Sequence, residues 1–194
     1  MLNPPPSARA LIFDCDGTLA ITRHMHFAAL EAALAEMGLS VEKDWYFARL
    51  GLSVDPLCAA YQESHGVPLP PERLRPIYQR LVPKFLGKIL PNEPVLRIAR
   101  DHHGRLPMAV ASGGEQEVVE KTLQQIGAAS LFDTVVGIGE IKLGKPAPDL
   151  FLAAAAKLGV EPADCLVYED SDEGMEAARA AGMAAIDVRS LETV

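Results

Sequence analysis

The sequence predicts an α/β protein: a Rossmann-like, doubly wound parallel sheet interrupted after its first strand by an inserted, all-helical cap. Three observations carry this expectation. Short apolar runs alternate with helically spaced segments through the second half of the chain; glycine stands just past three of those segments; and the stretch from about Thr22 to Ile89 carries helical spacing alone. Strands that alternate with helices imply a parallel sheet covered on both faces. Glycine just past a helix is the usual C-terminal stop.

The elements follow in order. Arg9 to Phe13 is a buried strand that ends abruptly in Asp14-Cys15-Asp16-Gly17-Thr18. The inserted stretch reads as helices at His26 to Met37, Val54 to Ser64 and Glu72 to Leu86, the last containing Pro76 and Pro83. Trp45, Tyr46 and Phe47 are read as packing its core. Alternation resumes with a helix at Pro94 to Arg100, closed by His102-His103-Gly104, and a strand at Pro107 to Ala111. A helix from Glu115 to Ile126, a strand at Thr134 to Ile138 and a helix from Pro148 to Leu158 come next. The strand Cys165 to Tyr168, the helix Glu173 to Ala181 and the strand Ala184 to Val188 complete the pattern. The chain therefore divides into a core of residues 1–21 and 90–194 and a cap of residues 22–89. The cap follows the first strand and reads as a lid, which excludes water and supplies substrate contacts.

Composition narrows the function. In 194 residues, 49% hydrophobic, there is ample material for a core, and a net charge of -8 argues against a nucleic-acid partner, which needs a basic face. No apolar run approaches the ~18 residues of a membrane-spanning helix, and the short Pro-rich start lacks the look of a signal peptide. Cys15, Cys58 and Cys165 are odd in number and far apart, which points away from disulfides or zinc and towards a cytoplasmic location. A soluble, monomeric chain is expected.

The chemistry gathers at strand ends, where open parallel sheets place their ligands. Strand alternation puts Asp14 and Asp16 on the same side, and two like charges there call for a cation or a shared proton. A hard divalent ion such as magnesium suits carboxylate oxygens. Gly17 lets the backbone turn and approach an anion. Ser112 is read as ending the second strand, with Gly113-Gly114 leading into a helix whose N-terminal amides could bind an anion. Alone, Ser-Gly-Gly there is also an ordinary cap. Lys145 lies in the stiff loop Gly144-Lys145-Pro146-Ala147-Pro148, and Glu169-Asp170 adds two acids after another apolar strand. Asp172 and Glu173 suit the first turn of the next helix. The adjacent His102-His103 reads as solvated rather than as a metal pair.

These four segments in order, Asp14-x-Asp16-Gly17-Thr18, Ser112, Lys145-Pro146-Ala147-Pro148-Asp149 and Glu169-Asp170-Ser171, resemble the haloacid-dehalogenase superfamily. The resemblance covers essentially the whole chain. It implies a phosphatase in which Asp14 is the nucleophile and forms an aspartyl phosphate. Asp16 acts as general acid and then base. Ser112 and Lys145 hold the phosphoryl oxygens, with Gly17, Thr18 and Gly113 contributing to phosphate binding. Mg2+ is held by Asp14, the Asp16 backbone carbonyl and Asp170, with Glu169 either a ligand or directly behind them.

The helical insertion resembles the cap of the beta-phosphoglucomutase-like subgroup, in which His26 matches a histidine near the site. A mutase of that subgroup carries an arginine after a Gly-x-Ser segment; here Val54 follows Gly51-Leu52-Ser53, which favours hydrolysis. The segments Arg105 to Val110 and Glu176 to Met183 resemble bacterial fructose-1-phosphate and related sugar-phosphate phosphatases. Many relatives carry an acid where this chain has Ile21. A small phosphorylated metabolite, such as a sugar phosphate, is the expected substrate. A hexose-phosphate mutase is the alternative enzyme, and a regulatory module that kept the fold is the non-enzyme alternative.

Overall fold

The computed structural model describes residues 3–50, 52–139, 141 and 143–189. Contacts divide the chain into two compact units, Met1–Ile21 with Leu90–Val194, and Thr22–Ile89.

The first unit begins with β1 (Ala10–Phe13), an apolar run buried along its whole length. The short strand β2 (Ala20–Ile21) closes the segment before the chain enters the second unit. That unit holds α1 (Arg23–Glu36), α2 (Lys43–Phe47), α3 (Val54–His65) and α4 (Pro71–Leu81), then a 3-10 segment, Val82–Lys88. The chain returns through β3 (Leu90–Pro91) and α5 (Glu93–His102). Then follow β4 (Met108–Glu115), α6 (Gln116–Gln125), β5 (Thr134–Ile138), α7 (Asp149–Leu158), β6 (Cys165–Glu169), α8 (Asp172–Ala180) and β7 (Ala184–Asp187).

The sheet runs β5-β4-β1-β6-β7, with every pair parallel. From β1 the chain builds outward through β4 and β5, then crosses to the other side for β6 and β7. The order therefore reverses between β1 and β6. Because side chains alternate along a strand, Ala10 and Ile12 share one face with Ala109, Ala111, Cys165 and Val167. Leu150, Phe151 and Ala154 of α7 and Ala177 and Ala178 of α8 cover that face. Leu11 and Phe13 face the other way, where Phe13 stacks on Tyr168 with ring centroids 4.8 Å apart. Both faces are apolar, as the continuous hydrophobic strands require.

A second, two-stranded sheet was not anticipated. β2 and β3 pair antiparallel, Ala20 with Pro91 and Ile21 with Leu90, and Asn92 N–H donates to the Leu19 carbonyl at 2.9 Å. Two-residue strands, one containing proline, leave no periodicity to read. The pairing also places Ile21, where many relatives carry an acid, in a buried strand position.

The second unit packs Leu30, Ala33 and Leu34 of α1 against Leu57 and Tyr61 of α3 and Leu74 of α4. It departs from expectation in three places. α1 starts at Arg23 rather than His26. The segment around Trp45 is a helix of its own, α2, and Trp45 and Tyr46 pack on the core without being fully buried. The predicted helix over 72–86 splits: α4 keeps Pro76 in its interior, whereas Pro83 falls in the first turn of the 3-10 segment. Proline lacks an amide hydrogen and crowds the preceding turn, so a change of helix type at Pro83 follows from its chemistry. Gly51 lies outside the described residues. No helix among the described residues is long and apolar enough to cross a membrane.

All three cysteines are free and buried. Burial, with help from Asp55, pushes the Cys58 thiol up to about 11, and burial with Asp164 pushes Cys165 up to about 11. Burial also raises Cys15 well above the usual thiol range, and Asp16 and Asp14 add to it. A thiol at that pKa is less than one per cent thiolate at pH 8, by roughly three orders of magnitude. A disulfide reagent at pH 8 is therefore expected to titrate none of the three in the native protein and all of them after denaturation. Rapid native-state reaction at any one of them would contradict this packing.

Candidate active site

The crevice beyond the carboxyl ends of β1 and β6, at the reversal of strand order, is where an open parallel sheet binds ligands. Asp14 follows β1 directly, its backbone N–H donating to the Tyr168 carbonyl at 2.9 Å. The chain then turns sharply: the amides of Leu19 and Ala20 both donate to the Cys15 carbonyl, and Gly17 N–H donates to Ala20 O at 2.8 Å. Gly17 adopts φ +90, and a Cβ there would lie 2.0 Å from Asp170 Oδ2. Only glycine meets both demands. Thr18, buried in the same turn, donates its hydroxyl to Asp170 Oδ1 at 3.1 Å.

Lys145 reaches in from the loop before α7. Its Nζ donates to Asp14 Oδ1 at 2.5 Å and to Glu169 Oε2 at 2.6 Å, and it lies 5.0 Å from the Phe151 ring centroid. The other oxygen of Glu169 accepts from the Ser171 hydroxyl at 2.7 Å, from Ser171 N–H at 3.0 Å and from Asp170 N–H at 3.2 Å. Ser171 Oγ in turn accepts from Gly174 N–H at 3.0 Å, capping α8. A Cβ on Gly174 would come within 2.0 Å of the Glu169 carboxyl carbon, so this close packing also requires glycine.

The structure thus gathers Asp14, Thr18, Lys145, Glu169 and Asp170. Asp16 follows in the turn, its carboxylate 3.4 Å from the Ser112 hydroxyl, which itself accepts from Gly114 N–H at 3.1 Å. Asp14 and Asp16 are not two positions of one strand, because β1 ends at Phe13 and the turn intervenes, although Asp16 still acts electrostatically on the Asp14 carboxyl. The reading of Ser112 at a helix N-terminus is also corrected. β4 continues to Glu115, with an irregularity after Ala111, and α6 begins only at Gln116. Ser112 and Gly113 therefore stand on extended backbone, with open space around Gly113 where a Cβ would be. His26 lies in the second unit, its Nδ1 2.6 Å from the Tyr78 hydroxyl. Ser171 and Gly174 received no role from the sequence. A hydroxyl residue two positions after Glu169, with glycine three further on, was the available signal.

The sequence pattern of haloacid dehalogenase-like hydrolases matches residues 8–182. The chain belongs to the haloacid dehalogenase-like hydrolase family. It is 38% identical over 181 residues to the fructose-1-phosphate phosphatase YqaB of Escherichia coli K12, covering 93% of this chain and 96% of that one. It is 35% identical over 187 residues to a probable pseudouridine-5'-phosphatase of Drosophila melanogaster, covering 91% of this chain and 80% of the relative. A haloacid dehalogenase-family hydrolase of Deinococcus radiodurans R1, solved with bound phosphate and sodium, superposes with a TM-score of 0.72 at 27% identity, over 93% of this chain and 80% of that one. A putative beta-phosphoglucomutase of Thermotoga maritima shares the fold, with a TM-score of 0.74 at 22% identity over 94% and 96%. This haloacid dehalogenase-like hydrolase is a phosphoric monoester hydrolase.

Its acidic centre fits a metal ion. Asp14, Glu169 and Asp170 each offer an oxygen, all within 4.8 Å of one another. Asp14 Oδ2 is buried without any hydrogen-bond partner, an arrangement costly unless a cation or ligand completes it. Burial, then Glu169, Asp170 and Asp16, raise Asp14 well above the usual carboxylate range, against the pull of Lys145. Burial and Glu169 likewise push Asp170 up to about 7, while the Thr18 hydroxyl and Lys145 oppose them. Burial disfavours the charged form of Lys145, but Asp14 and Glu169 outweigh it and hold the ammonium protonated. One cation facing this many acids leaves a negative excess that a hard divalent ion would neutralise.

In the hydrolase without metal, Asp170 binds its proton more tightly folded, at about 7, than unfolded, near 3.8. Its contribution to stability is therefore complete below the unfolded value and lost as pH rises through the folded one. A divalent cation that bound this centre in the folded chain alone would offset that loss, by about 2.7 kcal/mol at a hundredfold excess over Kd. Thermal melts are expected to show a larger magnesium-induced rise in Tm at pH 8 than at pH 5. Equal rises at both would reject the acidic centre as the binding site.

Proposed function

We propose that this protein is a magnesium-dependent phosphatase that hydrolyses a small phosphorylated metabolite, such as fructose 1-phosphate, through an aspartyl phosphate on Asp14. The observation that carries the reading is the state of Asp14: Oδ1 is held by Lys145, and Oδ2 is buried and unpartnered. A carboxylate fixed by one oxygen and open at the other suits a nucleophile.

The Asp14 carboxylate attacks phosphorus in line as the bond to the leaving oxygen breaks. Asp16 protonates that oxygen. It then takes a proton from the water that attacks the phosphorus of the aspartyl phosphate, releasing phosphate and restoring Asp14. The Lys145 ammonium and the Ser112 hydroxyl bind the phosphoryl oxygens, with Gly17, Thr18 and Gly113 around them. Asp14, Asp170 and the Asp16 backbone carbonyl hold magnesium, and Glu169 stands behind them because its oxygens already accept from Lys145, Ser171 and Asp170. Bound magnesium supplies positive charge that offsets the phosphoryl group and the crowded acids. The remainder is positioning and charge stabilisation, as phosphoryl transfer requires.

Residues 1–21 and 90–194 serve as the catalytic core and residues 22–89 as the cap, with His26 contributing from the cap. The similarity to the E. coli fructose-1-phosphate phosphatase supports a sugar phosphate as substrate. Val54, where a mutase of the same fold carries a phosphate-clamping arginine, supports transfer to water over return to a sugar. A monomer in the cytoplasm fits the charge and the free cysteines.

Asp14→Asn is expected to lower phosphate release by roughly 10⁴-fold or more, as removal of a nucleophile does. Full residual turnover would remove Asp14 from that role. A phosphate-release screen over phosphorylated metabolites is expected to respond to fructose 1-phosphate only with magnesium present. Given a hexose 1-phosphate with its bisphosphate, phosphate release is expected to outpace isomer formation; the reverse would establish a mutase.

A further inference from the structure

We propose a second anion site, for the phosphoryl group of a small ligand, in the depression formed by the last turn of α5, the loop into β4 and the N-terminal segment. Asn3, Arg100, Asp101, His102, His103 and Arg105 line this open depression of about 480 Å³. It lies where the chain enters β4, at the amino end of the strands, whereas Asp14 and Glu169 sit at the carboxyl ends of β1 and β6.

The charge here runs against the rest of the molecule. In a chain of net charge -8, Arg100 to Arg105 carries two arginines and two histidines against a single acid, Asp101. Cations at a helix C-terminus complement its dipole, which accounts for Arg100 and His102 in the last turn of α5. It does not account for Arg105, which lies beyond the helix and makes no ion pair or side-chain hydrogen bond among the described residues. Arg100 is engaged on one side by Glu93 at 2.8 Å. A guanidinium presents a planar fork of five donors, so one such bond leaves others available.

The histidines narrow the ligand. His102 Nδ1 lies 2.8 Å from the Ile98 carbonyl, and His103 Nδ1 lies 3.1 Å from the Leu131 carbonyl. A carbonyl only accepts, so each Nδ1 must carry the hydrogen. Each imidazole is thereby oriented by its backbone bond and keeps Nε2 for a ligand. A neutral Nε2 accepts a proton-bearing oxygen, and a protonated one donates to a bare oxygen. A phosphoryl group offers both forms near neutrality, with a second pKa of about 6. Sulfate has no proton to share at that pH. The pair of fixed imidazoles with a free guanidinium offers donors to bare oxyanion oxygens, and a neutral Nε2 can in addition accept the proton of a phosphoryl monoanion, a bond that sulfate cannot make.

The test follows the imidazole resonances of the full chain by NMR, with its five histidines assigned from single His→Gln variants. Inorganic phosphate is one titrant, and methylphosphonate, which has no ester bond to hydrolyse, is another. Sodium sulfate at matched ionic strength is the control. Saturable shifts of His102 and His103 are expected with a Kd on the order of 1 mM, weakened roughly tenfold by Arg105→Gln. Arg105 is exposed, so that variant is expected to fold. A response to phosphate alone assigns the site to the free anion, whereas a response to both titrants assigns it to the phosphoryl group wherever it is carried. The absence of a saturable shift at either histidine, an equal response to sulfate, or unchanged affinity in Arg105→Gln would overturn the proposal. Because the readout is local to His102 and His103, neither result depends on the catalytic role given to Asp14.

Discussion

The Lys145 ammonium is the interaction around which the site is organised. Buried between Asp14 and Glu169, it ties the end of β1 to the end of β6 across the point where the strand order reverses. Two neighbouring parallel strands that both end in acids would otherwise repel at the place where the sheet must stay closed. Removing one partner from a buried ionic cluster of this kind costs about 3–5 kcal/mol, since the remaining charge is left without compensation. The same contact fixes which oxygen of Asp14 is engaged and which is left open. Structural closure of the crevice and orientation of the carboxylate are thus two results of one bond pair.

Around that contact, space is controlled by the absence of side chains. Gly17 yields room to Asp170, and Gly174 yields room to Glu169, each at a distance no Cβ could occupy. Ser171 joins these parts, donating to Glu169 while it caps α8. The acids are therefore positioned by elements from both sides of the crevice: the turn after β1 and the first turn of α8. Glu169 is held by three partners, whereas Asp14 Oδ2 is buried with no hydrogen-bond partner among the described residues.

Much of the fold was legible in the sequence because buried parallel strands announce themselves. Ala10 to Phe13 and Cys165 to Tyr168 are apolar at every position, and the glycines after α6 and α7 mark where the helices stop. Pairings that depend on distant residues were not legible. Nothing local in Ala20-Ile21 or Leu90-Pro91 says that each has a partner some seventy residues away, and β4 runs on through two glycines that propensity alone assigns to a turn. For the site, the residue types at the strand ends were readable, and so was the proximity of Asp14, Lys145, Glu169 and Asp170 that a parallel sheet implies. The contact of Asp16 with Ser112 was not, because it follows from the turn at Cys15 to Ala20, where strand periodicity has already ended. The supporting roles of Ser171 and Gly174 depend on tertiary packing and had no periodic signature.

The small ribbon of β2 and β3 has a consequence for how such a molecule can be remodelled. The second unit departs after Ile21 and returns at Leu90, and those two residues are directly paired. Paired antiparallel residues lie about 4.5–5.5 Å apart, so the whole excursion enters and leaves through a doorway one ladder wide. A two-residue turn suffices to close such a doorway. In topological terms the excursion is a detachable loop on a continuous sheet, and segments of very different length could be grafted at the same seam without altering the order of the strands that carry Asp14 and Glu169.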